Sequence, residues 1–138
     1  MKVMVLVKSS AAIEAGQMPG EGELTAMGAY NESLVQAGIL LAGEGLHPSA
    51  RGHRVRFGGG TPQVQSGPFP DPGTLVAGFW LWQVRSMEEA LEWIRRAPFA
   101  EGDVVELRPL MAGDDFGEAF TPELREQESR LRAQLGND

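Results

Sequence analysis

Cysteine is absent from the chain, and no run of apolar residues approaches the ~18 that a membrane span requires. The absence of cysteine excludes disulfides and thiolate catalysis, and it favours a reducing, cytoplasmic location. Positive charge is also scarce: 12 Lys and Arg stand against 19 Asp and Glu, for a net charge of -7. Because nucleic acids and anionic membranes attract clustered positive charge, we expect neither as a partner.

The hydrophobic patterning of the 138 residues predicts one α+β domain. Strands are predicted at residues 2–8, 39–46, 76–84 and 103–108, a hairpin at 51–57 and 63–66, and helices at 21–36, 86–97 and from 121 onward. Ser86 with Glu89 three residues further on marks the start of the second of these helices. Without the hairpin and the last helix the order is βαββαβ, which is the ferredoxin-like pattern. We therefore predict a ferredoxin-like domain at residues 1–110 and a C-terminal extension with a helix at 111–138.

The first long helix has a polar residue within its predicted apolar side. The apolar residues expected there are Leu24, Met27, Gly28, Leu34 and Val35. Asn31 falls among them, and Glu44 is the only charge in the following strand. A polar group that is buried without a partner destabilises the fold. These two side chains therefore either bond to the backbone or line a cavity.

The strand at 76–84 holds two of the three tryptophans and is apolar on both faces. Alternation places Trp80 and Trp82 on one face and Phe79 and Leu81 on the other. A ferredoxin-like sheet has helices on one face only, so the second face needs a second sheet to cover it. We therefore expect a homodimer, because a lone protomer would leave indole rings in water.

Two groups of residues in the hairpin region permit more than one interpretation. The Gly58-Gly59-Gly60 run is interpreted as a turn, because a phosphate loop would lead into a helix and here a β-type segment follows. Arg51, Arg54 and Arg56 either form an anion site, since guanidinium groups suit carboxylates, or form a solvated hairpin face.

The two histidines, His47 and His53, are too few for a metal site, which needs three or four converging ligands. The only cluster that can be assembled from the sequence is His47 with Glu44 and Asp71, so we expect no metal and no cofactor. His47 is either a general base or a loop histidine without a role, because imidazole titrates near neutrality and this one follows a strand end.

Several short runs together resemble the YCII-related family, in particular its branch marked by an Asp-Gly-Pro-Phe motif. The runs, all between residues 1 and about 110, are Tyr30-Asn31-Glu32, Ala37-Gly38-Ile39-Leu40, Gly43-Glu44-Gly45-Leu46-His47-Pro48-Ser49, Gly67-Pro68-Phe69, Gly78-Phe79-Trp80, Glu88-Glu89-Ala90-Leu91-Glu92-Trp93 and Glu106-Leu107-Arg108-Pro109. The resemblance implies a dimeric α/β barrel, in which two ferredoxin-like sheets pack face to face, with a cleft near the Gly-Pro-Phe loop.

The same resemblance implies less about activity. A few members resemble muconolactone-isomerase-type proteins and act as lyases through a histidine and an aspartate of the first helix, whose places fall here on Met27 and Gln36. The signature loop differs as well, because Ser66 replaces the usual Asp. Pro70-Asp71 and Gly73-Thr74 stand where Ala-Glu and Lys-Glu are common.

We derive two function hypotheses. The first is a homodimer with one small-molecule pocket per subunit, acting by proton transfer as a lyase or isomerase on a small cyclic or carboxylated metabolite, with His47 as base and Asp71 or Glu44 orienting it. The residues expected to bind the ligand are Tyr30, Asn31, Ser66, Gly67, Pro68 and Phe69. The alternative is a non-catalytic binding or regulatory module with a transcription-related partner, since members of the family can be joined to sigma-type factors.

Overall fold

A computed structural model describes residues 1–136 and contains six strands and four α-helices within that range. The elements are β1 (Lys2–Lys8), α1 (Ala11–Glu14), α2 (Glu21–Gln36), β2 (Leu40–Gly45), β3 (His53–Arg56), β4 (Gln63–Ser66), β5 (Val76–Gln83), α3 (Met87–Arg95), β6 (Val105–Pro109) and α4 (Pro122–Gln134). Short 3-10 helices lie at Ser49–Arg51, Pro72–Thr74 and Gly113–Ala119. The last two residues of the predicted extension, 137 and 138, lie outside the described residues.

Four strands form one antiparallel sheet in the order β2-β5-β1-β6. This order, with α2 after β1 and α3 after β5, confirms the predicted ferredoxin-like fold. The predicted hairpin is also confirmed: β3 and β4 pair with each other, from His53 opposite Ser66 to Arg56 opposite Gln63, as a separate two-stranded sheet. It is inserted between β2 and β5, outside the main sheet.

Local hydrogen bonds explain where α3 begins. The Ser86 hydroxyl accepts a hydrogen bond from the backbone N–H of Glu89 at 3.1 Å, and the Glu89 carboxylate accepts one from the N–H of Arg85 at 3.3 Å. The first bond satisfies an N–H group that a helix start leaves unpaired, and the second binds the residue that precedes the cap. The Ser86 and Glu89 spacing in the sequence predicted this helix start.

The core lies between the sheet and the helices α2 and α3. Val3, Val5, Trp80 and Trp82 alternate along β1 and β5 and are buried against α2 and α3. The helices contribute their own buried residues, which are Tyr30 and Leu34 of α2 and Ala90 of α3. Trp80 and Trp82 stack on each other with ring centroids 5.7 Å apart.

Two expectations about these faces were wrong. The indole rings face the helices within one protomer, with 6% of Trp80 and 0% of Trp82 exposed, so a lone protomer does not leave them in water. On α2, Leu24 and Val35 are exposed instead of facing the core, and Tyr30 is buried. The helix therefore presents Tyr30 and Leu34 to the sheet, four residues apart along one side.

The sheet face opposite the helices, called here the open face, has an apolar centre. Strand register places Leu6 beside Phe79 and Met4 beside Leu81 across β1 and β5. The next strands extend these two rows: Glu44 and Glu106 flank the Phe79–Leu6 pair, and Ala42 and Arg108 flank the Leu81–Met4 pair. The four apolar side chains are only partly buried in the protomer, so residues 1–136 do not cover this face completely.

The C-terminal helix α4 begins with a Thr121 cap, whose hydroxyl accepts from the N–H of Leu124 at 3.3 Å. Its three leucines, Leu124, Leu131 and Leu135, are between 45% and 74% exposed. No helix within residues 1–136 is both long enough and apolar enough to cross a membrane.

Candidate functional site

The loop that carries the Gly-Pro-Phe run is fixed by Ser49. The Ser49 hydroxyl accepts a hydrogen bond from the backbone N–H of Phe69 at 2.9 Å and donates one to the carboxylate of Glu14. The same carboxylate accepts from the Ser49 N–H at 2.9 Å. Three segments that are distant in sequence are therefore joined: the end of α1, the 3-10 helix at Ser49–Arg51 and the loop before β5. Glu14 was not predicted, because nothing in the local sequence marks its partner 35 residues away.

Gly67 permits this contact because it approaches the backbone of Ser49 very closely. A Cβ atom at position 67 would lie 1.7 Å from the carbonyl oxygen of Ser49, so no other residue fits without a shift of the backbone. The Gly67 N–H donates to the carbonyl of Gly52 at 2.9 Å, and the following bond to Pro68 is cis. The predicted ligand-binding residues Gly67, Pro68 and Phe69 thus form a tight, fixed loop.

Both histidines contact the hairpin region. Nη1 of Arg51 lies 2.9 Å from Nε2 and 3.2 Å from Nδ1 of the exposed His47 ring. His53 Nδ1 lies 3.2 Å from the hydroxyl of Ser66, its cross-strand neighbour. The polar partner of His47 is therefore an arginine, and the predicted ligand-binding residue Ser66 is paired with the other histidine.

Glu44 and Asp71 lie apart from His47 in the hydrogen-bond network of residues 1–136. Glu44 is exposed on the open face, beside Phe79. Asp71 is exposed in the loop before β5, in a left-handed conformation with φ of 59°, and its carbonyl accepts from the N–H and hydroxyl of Thr74 at 2.9 and 2.7 Å. No three histidine or acidic side chains in the described part of the chain converge closely enough to hold a metal ion.

Tyr30 and Asn31 lie on the helix side of the sheet, opposite to Glu44. The Tyr30 hydroxyl donates to the carbonyl of Trp93 at 2.6 Å, and Asn31 Oδ1 accepts from the indole N–H of Trp80 at 3.0 Å. Asn31 was expected either to bond to the backbone or to line a cavity, and it instead pairs with the side chain of Trp80. Burial of the phenol raises the pKa of Tyr30 to about 12, with the nearby Arg96 acting in the opposite direction. These contacts place both residues in the core, away from the other predicted ligand-binding residues.

Among the predicted site residues and their neighbours, two surfaces therefore remain accessible to a ligand. One is the open face with its Glu44–Phe79–Leu6–Glu106 row. The other is the hairpin, where the guanidinium of Arg54 lies over the Phe69 ring at 3.9 Å from the centroid. Glu106 was not predicted as a site residue, although the register of an antiparallel sheet places it opposite Leu6 once the strand order is known.

Comparisons with known proteins give a family and a similar solved structure. The family model of the YCII-related domain matches residues 1–114. Among solved structures, 5-chloro-2-hydroxyhydroquinone dehydrochlorinase from Burkholderia phenoliruptrix AC1100, in complex with 2,5-dihydroxybenzoquinone, is similar with a TM-score of 0.43 and 17% sequence identity. That similarity covers 81% of this chain and 96% of the other. No curated protein matches the chain.

Proposed function

The chain belongs to the YCII-related family, and from this premise we propose that it is a homodimer whose two open faces meet and enclose a small-molecule pocket in each subunit. The proposed ligand is a small cyclic or carboxylated metabolite, and the proposed chemistry is proton transfer in an elimination or isomerisation. The apolar centre of the open face is the observation that carries this proposal.

The four central side chains of that face favour a second copy as their cover. These are Met4, Leu6, Phe79 and Leu81, which are contiguous across two strands on the sheet face opposite α2 and α3. Burying a side chain of this size stabilises a complex by roughly 1.5–3 kcal/mol when it is fully removed from water. Two sheets also pack well face to face at a spacing of about 10 Å.

Glu44 and Glu106, at the two ends of the Phe79–Leu6 row, prevent the contact between the two open faces from excluding water completely. Glu106 is paired with Arg108 at 3.1 Å, whereas Glu44 has no cation within 4.0 Å in the described residues. An unpaired carboxylate is costly to remove from water. The faces are therefore expected to close around the Leu81–Met4 row and to leave a cavity at the Glu44 end, which adjoins the loop carrying His47.

Glu44 is the proposed proton acceptor in that cavity, because its carboxylate is free and stands beside the apolar wall formed by Phe79. His47 lies three residues further along the chain and is the proposed second acid–base group. The His47 ring contacts the Nη1 atom of Arg51 and not the carboxylate of Asp71, which was expected to orient it.

Sedimentation velocity tests the dimer. The wild type is expected to sediment as a dimer at micromolar concentration, and Leu81→Glu is expected to dissociate it, since the new carboxylate would be buried in the interface. Val35→Glu makes the same kind of change at an exposed site on α2 and should leave the dimer intact. A wild type that sediments as a stable monomer would refute the proposal.

A thermal-shift screen of cyclic and carboxylated metabolites tests the pocket. Compounds that stabilise the wild type are then measured for binding and turnover with Glu44→Gln. We expect turnover to fall by about 10²-fold or more, the usual effect of losing a general base, with Glu23→Gln on α2 as the matched control. Unchanged turnover in Glu44→Gln would remove Glu44 from the mechanism.

One observation favours the alternative of a non-catalytic binding module. By the family resemblance, the places of the catalytic histidine and aspartate of some relatives fall on Met27, which packs against the core, and on the exposed Gln36. Neither side chain can accept a proton at neutral pH. Saturable binding of a metabolite without any turnover by the wild type would support this alternative.

A further inference from the structure

Positive charge is concentrated in the segment that contains the hairpin. Residues 45–70 include Arg51, Arg54, Arg56 and both histidines of the chain, and all 19 Asp and Glu lie outside this segment. The chain as a whole has a net charge of -7. Because residues 45–70 contain three arginines and no acidic residue, they create a local positive potential on an otherwise acidic molecule.

One face of the hairpin consists of hydrogen-bond donors. Arg54 is opposite Gln65 and Arg56 is opposite Gln63, and residues paired across strands or two apart along a strand share a face. These four residues are called here the Arg–Gln face, and all of them are exposed. A shallow groove of about 380 Å³ runs along the hairpin and is lined by all four, together with Val55 and Val64.

The arginines of this segment lack carboxylate partners. Within residues 1–136, no carboxylate lies within 4.0 Å of Arg51, Arg54 or Arg56, although five other arginines have one: Arg85, Arg95, Arg108, Arg125 and Arg132. Arg96 and Arg130 also have no carboxylate within 4.0 Å among residues 1–136, but only the hairpin segment places three such arginines within six consecutive residues, 51–56. A guanidinium without an internal partner is free to bind an external oxyanion.

Arg54 is also held in place. Its guanidinium lies over the Phe69 ring at 3.9 Å from the centroid, and the Phe69 N–H is bound to Ser49. Stacking of this kind uses the flat face of the guanidinium and leaves the N–H groups at its edge available. The positioned donor therefore loses less conformational freedom on binding than a free arginine would.

We propose that the Arg–Gln face binds the oxyanion of a small organic molecule, either a carboxylate or a phosphate monoester, with Arg54 as the anchoring residue. The site is separate from the proposed pocket on the open face and does not require a dimer. A small ligand is favoured over a polyanion such as nucleic acid, because a long polyanion would also meet the acidic remainder of the surface.

Isothermal titration of the full chain with benzoate and with inorganic phosphate tests this proposal, and benzamide serves as the neutral counterpart of benzoate. We expect saturable binding of at least one anion and none of benzamide. Arg54→Gln should weaken binding by about tenfold or more, since a charge-assisted hydrogen bond is lost. Arg54→Lys keeps the charge without the planar fork and should give an intermediate loss. Arg95→Gln, an exposed arginine on α3, should bind like the wild type.

Three results would overturn the proposal. One is that neither anion binds saturably, and another is that benzamide binds as well as benzoate. The third is that folded Arg54→Gln, checked by circular dichroism, binds like Arg95→Gln. If the anions fail to bind and Arg54→Gln instead changes the sedimentation coefficient, the face contacts a second copy and the small-ligand site is refuted. Failure of the Leu81→Glu dimer test would leave this result unaffected.

Discussion

Replacing Ser49 by Ala is expected to loosen the loop that holds Phe69 against Arg54 of the hairpin. The change removes the acceptor of the Phe69 N–H and the hydroxyl that donates to the Glu14 carboxylate. Each loss leaves a part-buried polar group without its protein partner. A neutral donor left unpaired costs about 1–3 kcal/mol, and a hydrogen bond to a charged group contributes about 1.5–3 kcal/mol.

Because water can reach these partly buried groups, the low end of each range applies, and we expect the free energy of unfolding to fall by about 2–3 kcal/mol. For a chain of 138 residues that corresponds to a decrease in Tm of about 10 °C. Urea denaturation with circular dichroism measures the first quantity and calorimetry the second. Ser33→Ala is the matched control, since its hydroxyl bonds only to the carbonyl of Ala29 within α2, and it should change stability by less than about 0.5 kcal/mol.

A double-mutant cycle with Glu14→Ala separates the two contributions of Ser49. If the carboxylate and the hydroxyl act together, the two substitutions should be non-additive by about 1 kcal/mol or more. Ser49→Ala with the stability of the control variant would refute the reasoning, because the loop would then be held by other contacts. Full additivity with Glu14→Ala would show that only the bond to Phe69 matters.

Three further outcomes follow from single contacts. Gly67→Ala should prevent the native loop from forming, because its Cβ would lie 1.7 Å from the Ser49 carbonyl oxygen; proteolysis within residues 63–72 would report this, and a protected loop would contradict it. Spectrophotometric titration of Tyr30, the single tyrosine, should show ionisation near its raised pKa of about 12 in the folded chain. The phenol of the unfolded chain ionises near pH 10, so the contribution of the buried neutral phenol to the free energy of unfolding is complete below pH ~10 and is lost as the pH rises towards 12. Ionisation of the folded chain near pH 10 would exclude burial of the phenol. Asn31→Leu should destabilise the chain by about 1–3 kcal/mol in urea denaturation, since the Trp80 N–H loses its acceptor; an unchanged midpoint would contradict that bond.

Local chemistry in the sequence was enough to predict most of the fold. Ser86 with Glu89 marks a helix start, the three consecutive glycines at 58–60 mark a turn, and both features lie where they were predicted. The one-turn helix α1 and the 3-10 helix at Ser49–Arg51 were missed. The Ser10 hydroxyl caps α1 by accepting from the N–H of Ile13 at 3.2 Å, but a single turn is too short to show a helical period. The bond between Ser49 and Glu14 joins residues 35 apart, which no local pattern indicates.

The candidate site was harder to predict, because a polar residue does not identify its partner. Tyr30 and Asn31 lie next to each other on α2, and they were expected to bind a ligand. Their partners turned out to be Trp80 and the carbonyl of Trp93, which are 49 and 63 residues away. Buried polar groups are normally satisfied inside the protein, so an internal partner explains these residues as well as a pocket does, and only the tertiary structure decides.

For strand β5 too, the sequence pattern did not identify which elements each face contacts, but the strand still supports the proposed dimer. Alternation correctly separated the Trp80 and Trp82 face from the Phe79 and Leu81 face, but a period of two does not tell which face the helices cover. The larger, flatter indole rings pack under the helices, where Asn31 satisfies one of the two N–H groups. The argument for a second copy therefore depends on the smaller face, and a substitution at Leu81 tests it whereas one at Trp82 would only unfold the core.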